Sequence, residues 1–186
     1  QGRVVGLTFD DGYLDNITYA LPLLKKYGFT ATCYMVASLL GKQNEWDIPK
    51  GISAKNLMTA QEIRAWHSSG MEVGAHSLTH VDLLSCRYDV ANHEIVQSKI
   101  QLESIIDSQV NSFSYPYGKY DKQIVQRVAQ AGYQTAVTTD RGRACAADSL
   151  LTLPRVDIPR TTYALLFYMK LCTKYEDQRR EYNCIN

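Results

Sequence analysis

The sequence holds no apolar stretch long enough to span a bilayer. The longest near the C-terminus, residues 163–169, falls far short of the ~20 residues a membrane helix needs. Charge of one sign is also missing. Twenty basic against nineteen acidic side chains leave a formal net charge of +1, so no field argues for nucleic acid or an anionic membrane. Cysteine is sparse and unpatterned: Cys33, Cys86, Cys145, Cys172 and Cys184 contain no C-x-x-C pair. Such an odd set makes a poor disulfide framework and a poor structural zinc site. Buried free thiols are the expectation, and they lean toward a reducing, cytoplasmic compartment. No signal peptide is visible, but a sequence that starts at Gln1 makes that absence uninformative about location. No repeat, low-complexity tract or linker rich in Pro, Gly or Ser divides the chain, and nothing indicates a partner protein.

What is present is an ordinary globular composition. With 186 residues and 45% hydrophobic content, the chain reads as a single domain over residues 1–186. A domain of this length buries roughly 70% of the surface its unfolded chain exposes.

Local patterns give the element order. Val4-Val5-Gly6-Leu7-Thr8-Phe9 is a nearly continuous apolar run, which predicts a strand buried on both faces and stopped by Asp10-Asp11-Gly12. Ile17, Leu21 and Leu24 predict a helix over residues 14–27, with Gly28 as its C-cap. Residues 30–36, β-branched and aromatic, predict a second strand. Thr59-Ala60-Gln61-Glu62 is a capping box, opening a helix that reaches Gly70. Further strands are predicted at residues 71–75, 113–115, 134–138 and within 151–158, and further helices at 89–108, 121–131 and 163–175. This alternation means β/α units and a parallel sheet, open or closed, with function gathered beyond the C-terminal ends of the strands.

Two motifs fall at that rim. Asp10-Asp11-Gly12 follows the first strand, and two adjacent carboxylates there are costly unless a cation or donor compensates them. His76-Ser77-Leu78-Thr79-His80 follows the third, with its imidazoles close enough to share one metal. Two imidazoles and one carboxylate leave coordination positions open, as catalytic sites do. A second carboxylate nearby is what a general base requires. The chemistry reads as metal-assisted hydrolysis.

Thr8-Phe9-Asp10-Asp11-Gly12, His76-Ser77-Leu78-Thr79-His80 and Tyr115-Pro116-Tyr117-Gly118, in this order, resemble the polysaccharide deacetylases of the NodB-homology family, carbohydrate esterase family 4. The likeness runs from Val4 to about Pro159. It implies an α/β fold, a distorted (β/α) barrel of the glycoside hydrolase/deacetylase type, and removal of N-acetyl groups from amino sugars of a polysaccharide or glycan precursor. It implies Asp10 as catalytic base and Asp11, His76 and His80 as ligands of one divalent ion, usually zinc, with cobalt, nickel or manganese as alternatives. It also implies that the Tyr117 backbone N–H helps bind the oxyanion. Tyr115, Pro116 and Tyr117 are then candidate substrate-binding residues, although a proline turn with packed tyrosines explains Tyr115 equally well. Trp46 and the other tyrosines are given no binding role, because aromatic residues serve cores and interfaces more often than ligands.

The sequence also departs from the family. An arginine usual in the third motif is replaced by Ser114, the fourth motif is not visible, and a histidine usual in the fifth gives way to Leu153-Pro154-Arg155. His67 and His93 sit in predicted helices and offer no substitute. The expectation is that Arg141, Arg143 or Arg155 takes over the missing arginine's place near Asp10. Arg155 is counted among the catalytic candidates as a charge-stabilising group, since arginine does not shuttle protons. Asp10 would then serve as both base and acid. Two other readings remain. One is a deacylase or deformylase of another amide, its choice set by the loop at residues 42–51. The other is a catalytically silent carbohydrate-binding domain.

Overall fold

Short β-rich segments separated by capped helices build the expected parallel sheet. The computed structural model describes residues 4–177; Cys184, with residues 1–3 and 178–186, lies outside the described residues. Six strands pair in chain order, every pair parallel. They are β1 (Thr8–Phe9), β2 (Thr32–Met35), β3 (Glu72–Ala75), β4 (Ser112–Ser114), β5 (Thr135–Arg141) and β6 (Leu153–Arg155). The helices are α1 (Leu21–Tyr27), α2 (Ala60–Ser68), α3 (Tyr88–Ile106), α4 (Lys122–Gln130) and α5 (Ala164–Cys172). The strand order has no reversal, so the sheet curves as a half-barrel with β1 and β6 as its free edges.

Local chemistry explains the helix boundaries. Thr59 and Glu62 form the reciprocal capping box at the start of α2, with the Thr59 amide donating to Glu62 at 2.8 Å. Asp121 caps α4 by accepting from the Ile124 amide at 2.8 Å. The helix predicted over 14–27 is helical along its whole length, with a π-helical turn, Asn16–Ala20, inside it ahead of α1. Pro22 lacks the N–H that would have closed the regular ladder there.

The core lies between the sheet and α2, α3 and α4. Trp66, Ile63, Ile95, Leu102, Phe113 and Val128 are all fully buried within it. The Trp66 indole N–H donates to the Glu72 carbonyl at 2.9 Å, so burial of this ring leaves no polar atom unsatisfied.

Two sequence expectations need correction. The run at residues 4–7 is not a buried strand: Val4 is 95% exposed and Val5 54%, and only Thr8 and Phe9 pair. β1 is an edge strand, and residues 4–7 ahead of it are exposed. Among the four described cysteines, only Cys33 is buried; Cys145 is exposed, and Cys86 and Cys172 are partly so. No helix among the described residues is long and apolar enough to cross a membrane.

Candidate active site

Strand ends β1, β3 and β4 deliver the expected residues to one place. After β1 the chain turns sharply, with Asp11 at φ 71° and Gly12 at φ 76°. A Cβ on Gly12 would lie 2.7 Å from the Met35 sulfur, so only glycine fits. Asp11 Oδ1 thereby comes to 3.4 Å from His76 Nε2 and 3.3 Å from His80 Nε2. All three ligand atoms lie within 4.8 Å of one another. His76 Nδ1 meets the Ser114 carbonyl at 2.7 Å. A carbonyl only accepts, so Nδ1 carries the proton and Nε2 presents its lone pair. Burial holds the His76 imidazole below its ordinary pKa, against the pull of Asp10 and Asp11, which favours the neutral form a metal requires. Two imidazole nitrogens and one carboxylate, preoriented on a common point, fit a divalent cation.

Backbone strain collects at the same point. Among the described residues, five that are not glycine have positive φ, and four of them, Asp11, Ser77, His80 and Tyr117, belong to these motifs. The 77–80 loop is held in that conformation by Glu94 of α3, a carboxylate only 5% exposed. Its Oε2 accepts from the Leu78 and Thr79 amides at 2.9 and 2.8 Å, and its Oε1 from the Thr79 hydroxyl at 2.7 Å. The Ser77 hydroxyl accepts from the His80 amide at 3.0 Å. Sequence reasoning missed Glu94. The available signal was a carboxylate on the same helix face as Ala91, Ile95, Ser98 and Leu102, all buried.

The arginine question has a geometric answer. Arg141 pairs with Glu176 and Arg143 with Asp177, both far along the chain from Asp10. Arg155 instead clasps Asp10, with Nη1 donating to Oδ1 at 2.8 Å and Nη2 to Oδ2 at 2.7 Å. Its Nε donates to the Thr138 carbonyl at 2.8 Å, and longer contacts reach Thr8 Oγ1 at 3.3 Å and Ser114 Oγ at 3.4 Å. One guanidinium therefore ties β1, β4, β5 and β6 together across the open side of the half-barrel. Of the three candidate arginines, Arg155 is the one that stands beside Asp10, and with every donor engaged its geometry is that of a group that aims the base. Burial pushes the Asp10 carboxyl up, but its hydrogen-bonded pairing with the Arg155 guanidinium outweighs that and leaves the pKa below the ordinary value.

The Tyr115–Gly118 segment separates into two roles. Tyr115 is 1% exposed and donates its hydroxyl proton to the Leu151 carbonyl at 2.9 Å; Pro116 is also buried. Both side chains are packed inward, so the packing role weighed for Tyr115 is the one this geometry supports. Tyr117, 39% exposed, sits at the site, its ring meeting His80 at 4.7 Å in a T-shaped contact. Its φ is 60°, and the turn continues through Gly118, itself at φ 66°, where any Cβ would strike Thr139. His67 and His93 lie on α2 and α3, as expected, apart from the cluster.

Comparisons with known proteins bear on the family and the fold. The family model for polysaccharide deacetylase matches residues 1–136. A Bacillus subtilis relative grouped with the polysaccharide deacetylases, YxkH, is 30% identical over 84% of this chain and 52% of its own length. The poly-beta-1,6-N-acetyl-D-glucosamine N-deacetylase of Staphylococcus epidermidis is 24% identical over 88% of this chain and 57% of its own. The chain thus spans about half the length of these curated relatives. Among solved structures, the Streptococcus pyogenes deacetylase PplD, determined with acetate, superposes with a TM-score of 0.80 and 31% identity, covering 92% of this chain and 71% of that one.

Proposed function

The chain belongs to the polysaccharide deacetylase family, and from that premise we propose that it is a metal-dependent hydrolase removing N-acetyl groups from the amino sugars of a glycan. The observation that carries the proposal is the convergence of Asp11, His76 and His80 beside an Asp10 carboxylate fixed by Arg155. Asp11, His76 and His80 would hold the ion, proposed to be zinc because two imidazoles and a carboxylate suit it. When bound, such an ion supplies a Lewis acid for the amide carbonyl and the attacking water.

The protein's own residues supply the rest. Asp10, kept ionised and aimed by Arg155, accepts the proton of the attacking water. It then returns that proton to the departing amine nitrogen, releasing acetate and a free amino sugar. One group suffices for both steps because leaving-group protonation follows attack. Of the four histidines in this sequence, His76 and His80 face the metal site, and His67 and His93 lie on helices away from it. We assign the Tyr117 N–H to the oxyanion, a donor preset by the turn at Tyr117-Gly118.

The S. epidermidis relative's polymer of N-acetylglucosamine and the acetate in the S. pyogenes structure support this choice of acyl group and sugar class. The test is acetate release from N-acetylglucosamine oligomers by zinc-loaded and chelated protein. Release by the loaded protein alone supports the proposal. No release, with zinc bound stoichiometrically, rejects the N-acetyl assignment.

A further inference from the structure

The two imidazoles of the site are held in different ways. His76 has the outer hydrogen bond usual for a ligand histidine, to the Ser114 carbonyl. His80 is 6% exposed, yet among the described residues its buried Nδ1 has no hydrogen-bond partner. Aromatic packing holds its ring instead. The Trp46 indole stacks on it with centroids 4.3 Å apart and planes at 18°, while the His76 and Tyr117 rings meet it edge-on at 4.8 and 4.7 Å.

Trp46 is not loosely placed. It rides on a 3₁₀ turn, Glu45–Lys50, inside a loop closed by bridges between Gln43 and Asn56 and between Tyr13 and Leu57. Asn44, 1% exposed, anchors the turn: its amide donates to the Tyr13 hydroxyl at 2.9 Å and to Asp47 at 3.0 Å, and its carbonyl accepts from the Lys55 amide. The Met58 amide donates to the Gly12 carbonyl at 2.9 Å. The loop is therefore fastened to the two residues that follow Asp11, and its tryptophan covers the face of His80.

We propose that Trp46 is a positioning residue for His80, its stack standing in for the missing Nδ1 hydrogen bond and raising the metal affinity of the site. This rests on the reading of Asp11, His76 and His80 as metal ligands. An imidazole bound to a divalent cation is electron-poor, and the negative face of an indole attracts it more strongly than it attracts the neutral ring. The stack thus favours the bound state and does more than fill space. The loop at residues 43–56 becomes part of the metal centre.

Zinc affinity, measured by competition with a chromophoric chelator on the full chain, tests this in Trp46→Leu, Trp46→Phe, His76→Ala and the unaltered protein. The expected result is about tenfold weaker binding for Trp46→Leu, within the range of lost outer-shell support, with substantial recovery in Trp46→Phe. Tryptophan emission gives a second readout. The chain has two tryptophans, and Trp66 is in the core, so zinc should alter the emission of the unaltered protein and leave that of Trp46→Phe unchanged. Unchanged zinc affinity in a folded Trp46→Leu, beside a His76→Ala that has lost binding, overturns this proposal and leaves the metal site standing. Failure of the unaltered protein to bind zinc overturns both. Should Trp46→Leu not fold, emission insensitive to zinc in the unaltered protein is the contrary result.

Discussion

Arg155 and Asp10, 145 residues apart in the chain, meet through two parallel hydrogen bonds of 2.8 and 2.7 Å. Ser114 Oγ lies 3.4 Å from the same guanidinium. The family's arginine would arise from position 114 on β4; here a charge from β6 fills that space, and a small hydroxyl at 114 leaves room for it.

Arg155→Lys should therefore bind metal normally but hydrolyse about a hundredfold more slowly, because a point charge cannot fix both carboxylate oxygens. Steady-state acetate release, with metal content measured in parallel, checks this. The double variant Arg155→Ala with Ser114→Arg should recover part of the rate that Arg155→Ala alone loses.

Removing the Glu94 carboxylate strands two amides and one hydroxyl of the 77–80 loop. Glu94→Ala should cost about 3 kcal/mol of stability and weaken metal binding, whereas Glu94→Gln, which keeps an acceptor, should cost less. Urea unfolding and zinc titration measure the two effects.

Metal should stabilise the fold, since its ligands come from two strand ends that only the folded chain brings together. At a free zinc concentration of about 100 times Kd the gain is about 2.7 kcal/mol, or roughly 5–10 °C in Tm. Thermal melts with zinc and with chelator give the difference. His76→Ala should abolish it, and His93→Ala should not.

Glu176, 1% exposed, accepts from Arg141 and pairs with the equally buried Lys170 at 2.9 Å, fastening α5 to the end of β5. Glu176→Ala would leave Lys170 buried without its counter-charge, at a cost of about 3–5 kcal/mol. Equilibrium unfolding of this variant measures that loss directly.

How much of this was legible in the sequence followed from the range of each interaction. Asp10, Asp11, His76 and His80 sit in short motifs whose spacing fixes their meeting once the strands alternate with helices. The capping box at Thr59 and Glu62 was equally local. Three arginines stood equal in the sequence because the choice among them depends on how β6 closes toward β1. Tyr115 and Tyr117 were separable only by burial, two residues apart but on opposite sides of a left-handed turn. The run at residues 4–7 misled because continuous hydrophobicity reports a buried strand only when neighbours cover it. Trp46 carried no local signal, since its stacking partner lies 34 positions onward, beyond two intervening elements.

The central claim is that Asp10 moves the proton while Asp11, His76 and His80 hold the metal. It is tested most directly by measuring zinc content and acetate release together in Asp10→Asn. The account predicts stoichiometric zinc and almost no acetate. Stoichiometric zinc with most of the hydrolysis retained would contradict it.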